Sequence, residues 1–279
     1  MINVNEKYLI AIDLDGTLLN DEKTISPLTI EVLQTLEKHG CFIVLCTGRA
    51  LRGVEYYHDK VLKLKHSPVI CYNGHMATNP HDKSFKTITH LIDKEIIKGI
   101  YKELVDKDLI NNAMSENLST IYVDKHDDFL FEFYDKSGMK VVDGPLNETL
   151  DQDVFTCVIN FGEKTDSEIA NKISAVVDAY QDTEVRFWYG GDYCELYGTD
   201  ISKSKAIQEV ASFYSIDKNH VIVFGDSDND VEMLRDFKHS YVMRNGNPSL
   251  FGIAHNITDF TNNDDGVAKE LIKLFNIRI

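Results

Sequence analysis

Positive charge is in short supply in this sequence. Twenty-nine lysines and arginines stand against 45 aspartates and glutamates, a formal net charge of -16. A field of that sign repels polyanions, which makes nucleic acid and acidic membrane poor partners, and a small anion can bind only where a local cation overcomes it. Cysteine is also sparse. Cys41, Cys46, Cys71, Cys157 and Cys194 are odd in number, lack C-x-x-C spacing and sit in or beside apolar stretches, so they read as reduced core thiols of a cytoplasmic protein. The longest apolar stretch near the start, 8–12, is stopped by Asp13. That is shorter than a signal core of about 7–15 residues or a membrane span of about 20. Five prolines and sixteen glycines leave no room for a collagen-like or linker-dominated chain, and 43% apolar residues exclude large-scale disorder. Several catalytic signatures are missing: no G-x-S-x-G elbow, no G-x-x-x-x-G-K-[ST] loop and no H-E-x-x-H. The ten histidines are scattered without ligand spacing and read as ordinary surface or core residues.

The chain's 279 residues suit one large domain or a core carrying one insertion. Tyr8-Leu-Ile-Ala-Ile12 is a continuous apolar run that stops at Asp13-Leu-Asp-Gly-Thr17, the profile of a strand buried on both faces. Similar runs at 41–46, 68–72 and 221–224 end in Thr47-Gly-Arg49, Asn73-Gly74 and Gly225-Asp226. Between the first two, Ser26 is an N-cap with Pro27 at the first helical position, and Leu28, Val32, Leu33 and Leu36 recur at helical spacing until Gly40. Apolar strands alternating with helices predict an α/β fold, a Rossmann-like, doubly wound parallel sheet, in which ligands bind at the carboxyl ends of the strands. The alternation breaks after Asn73-Gly74. Helices at 94–105, 127–134 and 167–180 then alternate with strands at 119–123, 155–161 and 185–189, and the more alternating strands suggest an inserted α+β domain with one covered face. Helices at 204–213, 231–237 and 267–275 and strands at 221–224 and 241–243 complete the core. The expected organisation is a core of 1–86 and 193–279 with an insertion over 87–192.

Asp13-x-Asp15-Gly16-Thr17 admits two readings, a solvated turn or a pair of carboxylates that divide labour, one attacking and one handling protons. A carboxylate is already ionised at pH 7 and needs no base beside it. Its natural electrophile is phosphorus, which gives an acyl phosphate that water can hydrolyse. Gly225-Asp226-Ser-Asp-Asn229-Asp230 is likewise either a polar helix start or a second acidic cluster. If both converge at neighbouring strand ends, three or four carboxylates share one place, which is costly without a cation. Hard oxygen ligands of this kind suit Mg2+, which also bridges phosphate oxygens.

Asp13-Leu-Asp-Gly-Thr17, Thr47-Gly-Arg49, Lys203 and Gly225-Asp-Ser-Asp-Asn-Asp230, in that order, resemble the four motifs of the haloacid dehalogenase superfamily. More narrowly, the chain resembles the Cof-type sugar-phosphatase branch, whose C2 cap is inserted between the second and third motifs. The resemblance covers essentially the whole chain. It implies that Asp13 is nucleophile and Mg2+ ligand. Asp15 would protonate the leaving oxygen, then activate water, and bind the metal through its carbonyl, and Asp226 would complete the metal set. Thr47 with the amides of Gly48 and Leu14 would hold the phosphoryl, together with Lys203 and Asn229, while Asp230 would orient Lys203 or a bound water. The cap would close to exclude water and choose the leaving group.

One departure stands out. The family usually has Gly after the motif lysine, whereas this chain reads Ser202-Lys203-Ser204-Lys205 and so offers Lys205 as a competitor. Arg49 either reaches the substrate or braces its loop, and Asn73-Gly74 is either a type I′ turn or a contact. Trp188, Tyr189 and Tyr193 read as packing rather than a stacking platform. The expected activity is Mg2+-dependent hydrolysis of a small phosphorylated metabolite, sugar phosphates foremost, through an aspartyl phosphate. The rivals are a phosphomannomutase-like transferase and a non-catalytic phospho-ligand sensor.

Overall fold

The computed structural model describes residues 6–133, 136–162, 167–188 and 191–278. It divides into two compact units, Met1–Ile88 with Ser202–Ile279, and Thr89–Ile201.

The first unit is built on β1 (Leu9–Ile12), β2 (Phe42–Cys46), β3 (Val69–Cys71), β4 (Met76–Thr78) and β5 (Ile88–Thr89). The second contains β6 (Asn112–Glu116), β7 (Thr120–Val123), β8 (Lys140–Asp143), β9 (Thr156–Asn160), β10 (Thr183–Phe187) and β11 (Tyr193–Gly198). The chain then returns through β12 (Val221–Gly225), β13 (His239–Val242) and β14 (Asn256–Ile257). The core sheet has the order β14-β13-β12-β1-β2-β3-β4-β5, parallel from β14 to β3. Every residue of β1 is fully buried. Leu9 and Ala11 join a cluster with Ile207 and Val210 of the helix Lys203–Phe213, and Ile10 and Ile12 point to the opposite face because side chains alternate along a strand. Leu9, Ile10 and Ile12 each contribute about 1.5–3 kcal/mol through burial. The helix Pro27–Lys38 starts where Ser26 accepts a hydrogen bond from the Thr29 amide, with Pro27 at its first position. It packs on β2 and on the C-terminal helix Gly266–Phe275.

The inserted unit has a sheet of order β10-β11-β9-β6-β7-β8, antiparallel except for the β7–β8 pair. Helices Lys94–Asp106 and Ser167–Val177 cover one face through Ile97, Ile100, Leu104, Ile173 and Val177, packed on Cys157, Ile159, Cys194 and Leu196. The other face is not bare, since Leu130 and Phe131 of the helix Asp128–Phe133 pack with Met114, Ile121, Val123 and Val158. Trp188 and Tyr193 lie against that second cluster, their rings 5.6 Å apart.

The second boundary falls later than residues 192/193. Tyr193–Gly198 pairs with β9 and β10, so it belongs to the insertion, and the core resumes at Ser202. The sequence reading also lacks β4, β5, β6, β8 and β14. Asn112-Ala-Met-Ser-Glu116 holds too few β-branched residues to announce a strand, and Lys140–Asp143 and Asn256–Ile257 are short edge strands, the first half-buried and the second exposed. Tyr134, the expected end of one helix, and Tyr189, the expected end of one strand, lie outside the described residues. All five cysteines are buried and unbridged.

Candidate active site

The end of β1 fixes Asp13, whose amide donates to the Phe224 carbonyl of β12 at 3.0 Å. The two acidic motifs are therefore held side by side by one sheet. Beyond Asp13 the chain turns sharply, with the amides of Leu18 and Leu19 bonded to the Leu14 carbonyl. Gly16 has φ +82°, and a Cβ there would run into the Asp226 carboxylate. Thr17 Oγ1 donates to Asp226 Oδ1 at 2.8 Å, and Asn245 Nδ2 donates to the Gly16 carbonyl at 2.7 Å. The loop is thus moulded around Asp226. Gly16→Ala is expected to cost about 1–3 kcal/mol through its left-handed backbone and to weaken divalent-cation binding by displacing Asp226. Thermal unfolding and a metal titration check both halves.

Lys203 is fully buried, and its ammonium lies 2.6 Å from Asp13 Oδ1 and 2.7 Å from Asp230 Oδ1. Lys205, two residues on, is exposed. The geometry therefore places Lys203 against the acidic cluster. Gly74 makes this approach feasible, because with φ +108° it lies against the Ser202 carbonyl, where a Cβ would clash. Ser202 itself caps the Lys203 helix by accepting from the Lys205 amide. Asp230 is fully buried; its second oxygen accepts from the Asp226 and Ser227 amides at 2.8 and 3.1 Å, so its oxygens serve Lys203 and the backbone.

Carboxylate oxygens of Asp13, Asp226 and Asp230 lie within 4.8 Å of one another. Burial pushes the Asp13 carboxyl well above its ordinary value; Lys203 draws it back, and Asp230 and Asp226 push it up again. Burial and then Asp230 raise Asp226 to about 7. For Lys203, burial alone would lower the pKa, yet Asp13 and Asp230 hold it above the usual lysine value. Burial penalises the charged form of all three groups, and the outcomes differ because a single ammonium gains from several carboxylates, while each carboxylate gains only a share of one ammonium. A further cation relieves the imbalance, and hard oxygen donors of this kind fit Mg2+.

The Asp15 carboxylate makes a different set of contacts. Arg49 grips it with two hydrogen bonds, Nε to Oδ2 at 2.7 Å and Nη2 to Oδ1 at 2.6 Å, and Lys23 adds a third at 2.8 Å. Burial raises this carboxyl, but the two cations outweigh it and leave Asp15 below its ordinary value. Arg49 therefore braces Asp15, and its guanidinium also lies 5.6 Å from the Tyr57 ring centre. Thr47 is buried at the end of β2, where its hydroxyl accepts from the Arg49 amide and its carbonyl from the Asn73 amide. Gly48 faces the Asn73 side chain closely enough that a Cβ would sit 3.0 Å from Nδ2. Asn73-Gly74 forms the turn between the antiparallel β3 and β4, and Asn73 also accepts from Asn229 Nδ2 at 2.9 Å. The turn thus also carries the contact between Asn73 and Asn229. Lys23 and Thr17 were not anticipated. Thr17 ended a recognised motif, but Lys23 sits in a loop whose return to Asp15 has no local sequence signal.

A family model for haloacid dehalogenase-like hydrolases matches residues 10–271. The chain belongs to this family. It is an enzyme, a haloacid dehalogenase-type phosphatase of the Cof branch. Among curated relatives, the 5-amino-6-(5-phospho-D-ribitylamino)uracil phosphatase YitU of Bacillus subtilis is 30% identical over 270 residues, covering 97% of this chain and 98% of that one. A second Bacillus subtilis phosphatase named for the same substrate, YcsE, is 28% identical over 94% of each chain. The solved structure of TM0651 from Thermotoga maritima superposes with a TM-score of 0.77 at 22% identity, covering 98% of each chain. The subclass IIB sugar phosphatase BT4131 superposes with 0.78 at 21%, covering 97% of this chain and all of that one. Both establish the same Rossmann-like core with an inserted cap. Haloacid dehalogenase phosphotransferases generally use a divalent metal ion, and the donors gathered here are suited to one.

Among the described residues, no helix is long and apolar enough to cross a membrane.

Proposed function

We propose that this chain hydrolyses small phosphomonoesters, sugar phosphates foremost, with Mg2+ and through an aspartyl phosphate on Asp13. The observation that carries this reading is the buried Lys203 ammonium, pinned between Asp13 and Asp230 with Asp226 alongside. Such an arrangement has one cation too few for its carboxylates and one nucleophile at the end of a strand.

In this reading Asp13 attacks phosphorus as its ester P–O bond breaks, and Asp15, once substrate binding frees it from Arg49 and Lys23 and it takes up a proton, gives that proton to the departing oxygen. Asp15 then takes a proton from water, the water oxygen attacks phosphorus, and the Asp13–phosphorus bond breaks to release phosphate and restore the carboxylate. The Thr47 hydroxyl, the Gly48 and Leu14 amides, Lys203 and Asn229 hold the phosphoryl oxygens, preorganised donors where negative charge is concentrated. Asp230 keeps Lys203 in place. Mg2+, held by Asp13, Asp226 and the Asp15 carbonyl, would supply charge neutralisation at the phosphoryl group.

The test is phosphate release from a panel of phosphomonoesters with Mg2+ and with EDTA. The panel includes hexose and pentose phosphates and, because two relatives are named for it, 5-amino-6-(5-phospho-D-ribitylamino)uracil. Release that requires the metal supports the proposal and ranks the substrates. Silence across the panel removes it, and hexose-phosphate isomerisation seen only with added hexose bisphosphate would select a mutase.

The raised carboxyls make a second prediction. Below pH 7 the metal-free cluster holds a proton that a divalent cation must expel, so apparent Mg2+ affinity rises with pH between 5 and 7, by up to about tenfold per unit for one proton. Calorimetry in buffers of different ionisation enthalpy reads the proton release directly. A pH-independent affinity between 5 and 7 would show that the cluster is fully ionised before metal arrives.

A further inference from the structure

We propose that His58, Asp59 and His81 form a second metal site, for a borderline dication of the Zn2+ class, separate from the acidic cluster. Asp59 Oδ1 lies 2.7 Å from His58 Nδ1 and 3.1 Å from His81 Nε2, and the three donor atoms lie within 4.8 Å of one another. Residues 58 and 59 sit in the helical turn Tyr56–Val61, and His81 follows β4, so the fold makes a cluster that sequence spacing hides.

The hydrogen bonding of His58 is the decisive detail. Its Nε2 lies 2.9 Å from the Ser67 carbonyl, which can only accept, so Nε2 carries the proton. In the neutral ring, the Nδ1 lone pair then faces a carboxylate oxygen, acceptor against acceptor. A cation reconciles them, and a proton on Nδ1 paired with Asp59 is one such cation. The ring is 1% exposed and stacks at 17° on His81, whose centroid is 5.6 Å away. A dication instead uses both imidazoles in their neutral form. Donation of the far ring N–H to a backbone carbonyl is also how metal-binding histidines are oriented. The Ser67 segment is itself anchored, since Glu37 Oε1 accepts from the Ser67 hydroxyl and from the Lys65 and His66 amides. On the other side, Asn79 Oδ1 accepts from the His81 and Asp82 amides and sets the position of His81.

Two nitrogens and one carboxylate oxygen match Zn2+, whose tetrahedral ligands at about 2.0–2.2 Å also leave a position for water. Mg2+ prefers oxygen ligands, so it does not compete here. Side chains of Asp59 and His81 are about one-third exposed, which gives an ion an entry path. Bound metal would clip the helical turn to the segment after β4. Tyr57, within that turn, donates to the Lys23 carbonyl and lies under Arg49, so the clip stabilises the core unit beside the Asp15 contacts.

The experiment titrates the full chain with Zn2+ against a chromophoric chelator in saturating Mg2+, and with Co2+ to read the visible absorption of a tetrahedral nitrogen–oxygen site. Wild type, Asp13→Asn, His81→Ala and Asp59→Asn are compared. The expected result is one Zn2+ per chain in wild type and Asp13→Asn, with a raised unfolding temperature, and affinity at least about tenfold weaker in His81→Ala and Asp59→Asn. His81→Ala should keep its Mg2+-dependent phosphatase activity, which shows that the variant is folded. No Zn2+ uptake by wild type, or uptake unchanged by His81→Ala, would overturn the proposal.

Discussion

Asp13→Asn is expected to lose at least about 10⁴-fold in kcat and yet, free of metal at pH 8, to unfold at a higher temperature than wild type. The activity loss follows from the proposed chemistry, because an amide cannot attack phosphorus and no carboxylate replaces it. The stability gain follows from burial. Asp13 is buried beside Asp226 and Asp230, and its carboxyl is held well above the ordinary value. A carboxyl whose pKa is raised on folding favours the folded state at low pH. That advantage is lost as pH rises from the unfolded value through the folded one, so the wild type bears more of the cost of the charge at pH 8 than at pH 5. Asparagine has the shape of the protonated acid and still offers an oxygen to Lys203, so it avoids that cost. Calorimetry in EDTA at pH 5 and pH 8 should show the variant's advantage widening at the higher pH. A lower unfolding temperature at pH 8 would mean that attraction to Lys203 outweighs burial, and residual activity within tenfold of wild type would mean that another group is the nucleophile.

Legibility from sequence followed burial and chain continuity. The apolar runs that became β1, β2, β3 and β12 were readable because strands covered on both faces carry no polar residues, and their polar ends marked the site. Asp13 and Asp226 could be paired in advance because each follows such a strand, and β1 and β12 are neighbours. Tyr193–Gly198 was misassigned because Tyr-Cys-Glu-Leu-Tyr-Gly reads the same whether its partner is a core strand or β9. What failed altogether was contact between loops. Lys23 reaches Asp15, and His81 reaches Asp59, by backbone turns with no periodic signal, which is why the histidines looked ordinary until folded. The choice between Lys203 and Lys205 was likewise a question of which way a helix start faces. Ser202 and Gly74 answer it, one by capping the helix and the other by letting its first residue approach.

Lys203→Met should be the most damaging single change to the folded chain, costing about 3–5 kcal/mol because it leaves Asp13 and Asp230 buried without their ammonium. The loss should depend on pH. Lys203 has a folded-state pKa above its unfolded one, so the stability it contributes is present throughout the neutral range and disappears only as pH rises through the folded value. Asp13, already held well above its ordinary value, can take up a proton as pH falls, so the gap between variant and wild type should narrow from pH 8 toward pH 5. Lys205→Met, on an exposed side chain two residues away, should stay within about 0.5 kcal/mol of wild type and keep full activity. Activity in Lys203→Met should fall at least about 10²–10³-fold, the effect of removing one preorganised donor to a charged oxygen. Misfolding alone could imitate that loss, so the discriminating readout is the metal. A divalent cation supplies charge to the same carboxylates, so saturating Mg2+ should raise the unfolding temperature of Lys203→Met by more than it raises that of wild type. An equal rise in both proteins would show that the metal and Lys203 do not share the cluster, and the reading of one cation too few would then fail with it.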